Sequence, residues 1–163
     1  MKRYEKYKPS GIDWLPQIPS QWKMSKAKYY FKYTTGFTPP SGEDDFYNGE
    51  IIWVTIADMN QKIVSQSANT LSQLAIERYK PDVTKRGSLL FSFKLSVGKV
   101  AYAGKDLYTN EALISILPDA NYDVRYFYYT LPEQLLQNAN ENIYCSQYLT
   151  IKSTPCNSYF DIL

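Results

Sequence analysis

Lysine, hydroxyl and amide side chains are concentrated around the turns in the middle of this chain. Seven of them flank or immediately precede predicted strands: Lys94, Ser96, Lys99, Lys105, Tyr108, Thr109 and Asn110. Ammonium and hydroxyl groups bond phosphate oxygens, and asparagine and lysine also reach base edges, so this set suits nucleic-acid binding. Ordinary solvated strand ends have a similar composition. The sixteen tyrosines equally suit a carbohydrate- or peptide-binding module, because their rings offer flat contact surface.

Several catalytic chemistries are excluded by residue type. The 163 residues include no histidine, so histidine triads, histidine bases and histidine metal ligands are impossible. Neither glycine-rich phosphate-loop pattern occurs, and two cysteines cannot supply a four-ligand zinc site. The adjacent pair Asp44 and Asp45 is interpreted as a solvated turn. We therefore predict no enzyme activity, no cofactor and no metal; an enzyme with an unrecognised site is the remaining alternative.

Charge is unevenly distributed although the net charge is only +2. Residues 1–33 hold eight Lys and Arg against two acids, and residues 34–77 hold one against six. Residues 78–105 then hold seven against one, and the remainder holds two against seven. Two basic blocks separated by an acidic block could fold into one positive face, which would attract a polyanion. Solvated surface charge is the alternative interpretation.

The termini and cysteines predict a cytoplasmic protein. The N-terminal MKRYEKYKPSG has no apolar core of a signal peptide, and no apolar run approaches the length of a membrane-spanning helix. Cys145 and Cys156 are therefore expected to be reduced thiols, although an even count permits a disulfide.

The first third of the chain is predicted to contain an arm, a short helix and a strand. Three prolines oppose helix within the arm, residues 1–24. Ser25 is a suitable N-cap for a basic amphipathic helix at residues 26–34, and Gly36 is a suitable C-terminal stop. Asn48 and the glycine after it predict a turn before a strand at residues 51–56.

The remainder is predicted to form a sheet with flanking helices. Ser72 is expected to cap a brief helix through Arg78. Three strands are predicted at residues 88–94, 99–103 and 112–117, and short connections make them neighbours in one sheet. Asp123 is expected to cap a helix that ends or kinks at Pro132. A last strand is predicted at residues 143–149. These elements define one α/β (α+β) domain over residues 1–163, with a twisted mixed or antiparallel sheet and several short helices.

Four segments in the same order resemble the target-recognition domains of type I restriction–modification specificity (S) subunits. The segment LLFSFKLSVGKVA at residues 89–101, followed by DLYTNEA at 106–112, is similar to their central signature. GIDWLPQIPSQW at residues 11–22 resembles their N-terminal arm. TGFTP at 35–39 resembles their GxTP element, and WVT at 53–55 with DM at 58–59 resembles their strand ending in DM. The resemblance spans about residues 7–151.

The resemblance implies sequence-specific binding of double-stranded DNA at one half of a bipartite target. It implies no catalysis by this chain: the methyltransferase (M) subunit would bind S-adenosylmethionine, and the restriction (R) subunit would assemble through it. The family's two spacer helices, which dock the M subunits, and its second recognition domain are expected to be absent before Leu163, which leaves docking an open question. DNA-binding positions are expected at Thr38, Ser92, Lys94, Ser96, Lys99, Lys105, Tyr108 and Asn110, with the lysines on phosphates. For Ser92 and Asn110, the alternative is a structural role in fixing turns. Glu111 stands where the family more often has Gln, and a carboxylate there can accept from cytosine N4.

Overall fold

Twelve strands and three α-helices follow one another along the described residues of the chain. The computed structural model describes residues 4–12, 15–22, 25–94, 96–141 and 161–162. The strands are β1 (Tyr7–Ile12), β2 (Leu15–Pro19), β3 (Ser25–Lys26), β4 (Tyr33–Thr35), β5 (Tyr47–Val54), β6 (Ile63–Val64), β7 (Thr70–Leu71), β8 (Leu89–Ser92), β9 (Val100–Ala103), β10 (Tyr108–Thr109), β11 (Leu113–Ile116) and β12 (Asp161–Ile162). The α-helices are α1 (Ala27–Tyr30), α2 (Gln73–Tyr79) and α3 (Val124–Glu141), and short 3-10 helices lie at Asp44–Phe46 and Ile56–Asp58.

A five-stranded sheet in the order β4-β11-β8-β9-β6 forms the centre of the molecule. Its three inner strands are the ones that the sequence predicted to be neighbours, and that prediction is confirmed. β8 pairs antiparallel with both β9 and β11, whereas β6 pairs parallel with β9. The mixed sheet with flanking helices confirms the predicted α+β class.

Both faces of this sheet are covered, because the inner strands present apolar residues on both sides. One face carries Leu89, Phe91 and Ile114, which pack against Phe127 and Leu131 of α3. The opposite face packs against the end of β5 and the following loops through the cluster Val54, Met59, Val64, Leu90, Ala101, Ala103, Leu107 and Leu113. The inner strands β8 and β11 are therefore buried along their whole length.

A second sheet in the order β10-β5-β7 lies beside the first. α2 packs on it through Ala75, which joins a cluster with Phe46, Trp53 and Leu71. Ser72 caps α2, since its hydroxyl oxygen accepts from the amide of Ala75 at 3.4 Å. The predicted cap at Ser72 is confirmed.

The C-terminal helix begins where the sequence predicted, and it does not end at Pro132, which was one of the two outcomes predicted there. The Asp123 carboxylate accepts from the amide of Arg125 at 2.8 Å, as expected of a helix-capping side chain. Pro132 lies inside α3, which continues to Glu141. A proline removes one intrahelical hydrogen bond, but the packing of α3 on the sheet compensates for this loss.

The predicted helix at residues 26–34 is largely wrong. Only Ala27–Tyr30 is helical; Ser25 lies in β3, and Thr34 lies in β4, where it pairs with Ser115 of β11. Pairing with a sheet edge overrides the helical periodicity of this segment. Asn48 does adopt a left-handed φ of 59°, yet it lies within β5. The register between Tyr47 and Ile51 is irregular there, so the expected turn is a bulge.

Two predictions fall outside the described residues: the strand at residues 143–149 and the state of Cys145 and Cys156. Within the described part of the chain, none of the helices combines the length and apolar character needed to cross a membrane. In the N-terminal arm, β1 and β2 form an antiparallel hairpin.

Candidate nucleic-acid interface

The strand registers bring three connecting segments to one end of the five-stranded sheet. At this end, called the upper end below, β4 and β8 finish and β9 and β11 begin, because β11 runs antiparallel to both β4 and β8. The segments there are residues 36–40, residues 93–94 and 96–99 in the connection after β8, and residues 109–112. At the opposite, lower end, β4 and β8 begin and β9 and β11 finish.

The loop after β4 approaches the loop before β11 with no space for a side chain at Gly36. A Cβ atom on Gly36 would lie 2.1 Å from the carbonyl oxygen of Asn110 and 2.2 Å from that of Thr109. The next amide, that of Phe37, donates to the Thr109 carbonyl at 2.9 Å. Gly36 was expected to end a helix, but its role is this close backbone contact.

The two loops also meet through side chains at the surface. The hydroxyl of Thr38 donates to the carboxylate of Glu111. The ammonium of Lys94 lies 3.9 Å from the other oxygen of that carboxylate, with the two side chains 35% and 49% exposed. Thr38, Glu111 and Lys94 thus form one exposed polar group built from three separate segments.

Asn110 fixes the path of the chain into β11. Its side-chain oxygen accepts from the backbone amide of Ala112 at 3.3 Å. Its backbone amide donates to the carbonyl of Val54 at 3.0 Å. The side chain is partly exposed. Asn110 therefore shapes the loop that carries Glu111.

Of the two roles considered for Ser92, the structure favours the turn-fixing one over a place at a DNA surface. It is fully buried, with 0% exposure. Its hydroxyl donates to the carbonyl of Ser96 at 2.6 Å and accepts from the amide of Lys99 at 3.0 Å. Ser92 thereby ties together the turn that presents Ser96, which is exposed and left-handed with a φ of 48°. A buried side chain has no face for a ligand, so Ser92 positions the turn.

Lys99 extends the upper end toward the segment after β5. Its ammonium donates to the carbonyl of Ile56 at 3.3 Å and reaches the side-chain oxygen of Asn60 at 3.5 Å. These partners are neutral, so the positive charge of Lys99 is not cancelled by a carboxylate in these contacts. Phosphate oxygens could replace them as acceptors.

Tyr108 lies one residue before the upper end, in the second sheet. It pairs with Trp53 across β10 and β5 and packs against the cluster of Phe46 and Trp53. The residue is partly buried. Most of its ring contributes to packing, and only its remaining exposed surface could face a ligand.

Lys105 lies at the lower end, away from the other expected positions. It directly follows Gly104, at the end of β9 opposite the Ser96 turn. Its neighbour Asp106 accepts from the Lys85 ammonium at 2.8 Å, and this contact holds the pKa of Asp106 below its ordinary value. The structure therefore separates Lys105 from Lys94 and Lys99 by the length of a strand.

Two residues at the upper end were not among the expected DNA-binding positions. Asn60 is exposed and contacts Lys99, but nothing in its local pattern distinguishes it from an ordinary loop asparagine. Glu111 was noted in the sequence because the resembled family more often has Gln there, and its contact with Thr38 places it at the upper end. The position of both residues beside the expected ones follows from long-range contacts that sequence spacing does not reveal.

The described residues thus form an α+β domain with polar loops gathered at one end of its five-stranded sheet. The family comparison is specific. Residues 19–153 match the model of the type I restriction modification DNA specificity domain. The chain belongs to this family.

Curated relatives agree with that assignment. The MjaIX specificity subunit of a type I restriction enzyme from Methanocaldococcus jannaschii is 25% identical over 118 residues, and the HindI specificity subunit from Haemophilus influenzae is 26% identical over 117. Each match covers 71% of this chain but only 27% and 26% of the relative. The chain thus spans about a quarter of the length of these relatives.

Solved structures show the same fold. The HsdS subunit from Thermoanaerobacter tengcongensis superposes with a TM-score of 0.55 at 20% identity, covering 78% of this chain and 31% of that one. A chain from a structural study of the assembly and conformational transition of the type I R-M system gives 0.57 at 19% identity, covering 79% and 31%. The predicted resemblance is therefore confirmed at the level of family and fold.

Proposed function

We propose that this chain binds double-stranded DNA in a sequence-specific manner and reads one half of a bipartite target for a type I restriction–modification enzyme. The observation that carries the proposal is the register of β4, β8 and β11, which gathers Thr38, Lys94 and Asn110 at one sheet end. Ser96 and Lys99 lie in the same connection between β8 and β9 as Lys94. Family membership supports the ligand class, and the geometry supports the location.

Each group at the upper end has a role that suits duplex DNA. The ammonium groups of Lys94 and Lys99 would contact phosphates and set the orientation of the duplex. The Thr38 hydroxyl, the Ser96 hydroxyl and the Asn110 amide would reach either phosphates or base edges. Sequence choice would arise from the side chains of the loops, because phosphates carry no sequence information.

The proposal assigns no catalytic step to this chain. Methylation and cleavage would be performed by a methyltransferase subunit and, through it, a restriction subunit, with S-adenosylmethionine held by the methyltransferase. We propose that residues 1–163 act as a single recognition domain whose arm is residues 1–24. A cytoplasmic location, where the DNA and these subunits would be found, is part of the same proposal.

Fluorescence anisotropy of the 163-residue chain with a labelled mixed-sequence duplex pool tests the proposal. We expect binding at low salt. The logarithm of the binding constant should fall linearly with the logarithm of the salt concentration, and the slope should be about −0.9 for each phosphate neutralised. A labelled oligosaccharide pool is the parallel assay for the carbohydrate-binding alternative. A folded chain that binds no duplex at low ionic strength would refute DNA binding.

A further inference from the structure

We infer that Glu111 selects a cytosine within the half-target, by accepting a hydrogen bond from the cytosine N4 amino group. The inference rests on the proposed DNA binding and deepens it: a carboxylate at this position can accept from cytosine N4, and the contacts of Glu111 in the structure support that role. It is carried by the position of one carboxylate among the groups of the upper end.

Glu111 is held in place yet remains accessible. The Thr38 hydroxyl donates to one of its oxygens, and the side chain is 49% exposed. An ionised carboxylate has about four acceptor positions, so one bond from Thr38 leaves others available. The backbone beneath it is fixed as well, since the preceding loop residue Asn110 bonds both Val54 and Ala112. A side chain oriented by its neighbours can discriminate between bases at low entropic cost.

The charges around Glu111 argue against a phosphate partner. A carboxylate repels phosphates, so at a DNA surface its favourable partner is a hydrogen-bond donor on a base. Lys94, at 3.9 Å, is too distant for a direct hydrogen bond and would be drawn to a phosphate when DNA binds. Glu111 would then lose its only described ionic neighbour, and a donor from the duplex would replace it.

The major groove offers one amino donor that carboxylates read in preference to others. Glutamate and aspartate accept from cytosine N4, whereas glutamine and asparagine pair with the N6 and N7 atoms of adenine. The Thr38 hydroxyl would keep either side chain in the same place. Changing Glu111 to glutamine should therefore convert the preferred base from cytosine to adenine without moving the loop.

The experiment selects bound duplexes from a library with a randomised stretch, using the wild-type chain and Glu111→Gln, and sequences the bound fraction. We expect one position enriched in cytosine for the wild type. At that position the ratio of cytosine to adenine should fall by about tenfold or more in Glu111→Gln. The other positions should keep their preferences, and thermal melting checks that both proteins are folded.

Two further variants separate base reading from other roles. Glu77→Gln removes the same charge from α2, where Glu77 contacts Gln73 of its own helix, and it should leave every base preference unchanged. Thr38→Val removes the hydroxyl that orients Glu111 and should weaken the cytosine preference without creating one for adenine.

Three outcomes overturn the inference. If Glu111→Gln binds more tightly to all sequences with an unchanged base profile, Glu111 is only a charge that opposes phosphate. If it melts normally but binds nothing, Glu111 orders the loops instead of reading a base. If the wild type itself binds no duplex, the proposed function fails and this inference fails with it. In the first two outcomes the wild type still binds DNA, so the proposed function stands and only the inference about Glu111 fails.

Discussion

The two ends of the five-stranded sheet carry similar residue types but use them differently. At the lower end, lysines are paired directly with carboxylates: Lys85 bonds Asp106 at 2.8 Å, and Lys32 bonds Asp119 at 2.5 Å. At the upper end, Lys99 contacts a carbonyl and an amide oxygen, and Lys94 lies 3.9 Å from its nearest described carboxylate. Lys32 and Lys85 thus have close carboxylate partners, whereas the described contacts of Lys94 and Lys99 include no carboxylate closer than 3.9 Å.

This difference shows that basic residues alone do not locate a binding surface. Each close ion pair at the lower end sets a carboxylate beside the lysine, and that negative charge opposes the approach of a phosphate. Lys99 at the upper end contacts neutral acceptors, which phosphate oxygens can replace without separating an ion pair. Three predictions test this contrast, in order of decreasing expected effect.

The largest effect is expected from a methyl group at the junction of the upper loops. Gly36→Ala would place Cβ against two backbone carbonyls, which cannot move without displacing β11. We expect a loss of about 3 kcal/mol or more in the free energy of unfolding, at the upper end of overpacking costs.

Gly87→Ala at the lower end is the matched control for this substitution. Gly87 has a φ of +84°, but its Cβ would meet only the Pro118 side chain at 3.6 Å. The cost there should be about 1–2 kcal/mol, from the left-handed backbone alone. Urea denaturation measures both variants, and equal losses would contradict a special close contact at Gly36.

An intermediate effect is expected from removing lysines at the two ends. Lys94→Ala and Lys99→Ala should each weaken DNA binding about tenfold for all sequences. Each should also reduce the magnitude of the salt slope by about one. Lys105→Ala, at the lower end, should leave the slope unchanged. Anisotropy titrations at several salt concentrations measure these slopes, and a reduced slope for Lys105→Ala would mean that the interface includes the lower end.

The smallest effect is expected from the pH dependence of the lower-end ion pairs. The hydrogen bond from Lys32 and the amide of Asn121 hold the pKa of Asp119 below its ordinary value. The folded state therefore binds this proton less readily than the unfolded state. The Asp119 carboxylate therefore contributes to the free energy of unfolding at neutral pH. This contribution is lost as the pH falls below about 4, the pKa of an unfolded aspartate, toward the lower pKa of the folded state.

Urea midpoints between pH 6 and pH 3 test this expectation. Asp119→Asn should lower stability at pH 6 and should depend less on pH than the wild type. Glu77→Gln, in which the lost carboxylate contacts Gln73 instead of a lysine, is the charge-matched comparison. If wild type and Asp119→Asn lose stability in parallel as the pH falls, the pair with Lys32 does not stabilise the fold.

Local patterns predicted the three inner strands of the five-stranded sheet, the strand β5 of the second sheet and two helix starts. The run that ends at Val54 is rich in β-branched and aromatic residues, and the runs around Phe91 and Ile114 are mainly apolar. Segments of this kind favour β-strands. Ser72 and Asp123 cap helices because their side chains bond amides only a few residues away. Such short-range interactions are contained in the sequence itself.

Local patterns failed where distant segments compete. Thr34 has helical spacing but pairs with Ser115, eighty-one residues away along the chain. Asn48 carries a turn signal but forms a bulge inside β5, because β7 pairs on both sides of it. In both cases the hydrogen bonds of a partner strand outweigh a weak local preference.

The sequence by itself determined which residue types stand at the turns: lysines, hydroxyls and amides, without the groups that histidine chemistry requires. Only the tertiary structure decided which turns share an end of the sheet, that Ser92 is buried beneath one of them, and that Lys105 lies at the far end. The reason is that strand pairing is a long-range interaction. Its register sets where each turn emerges, and no spacing within a single turn contains that information.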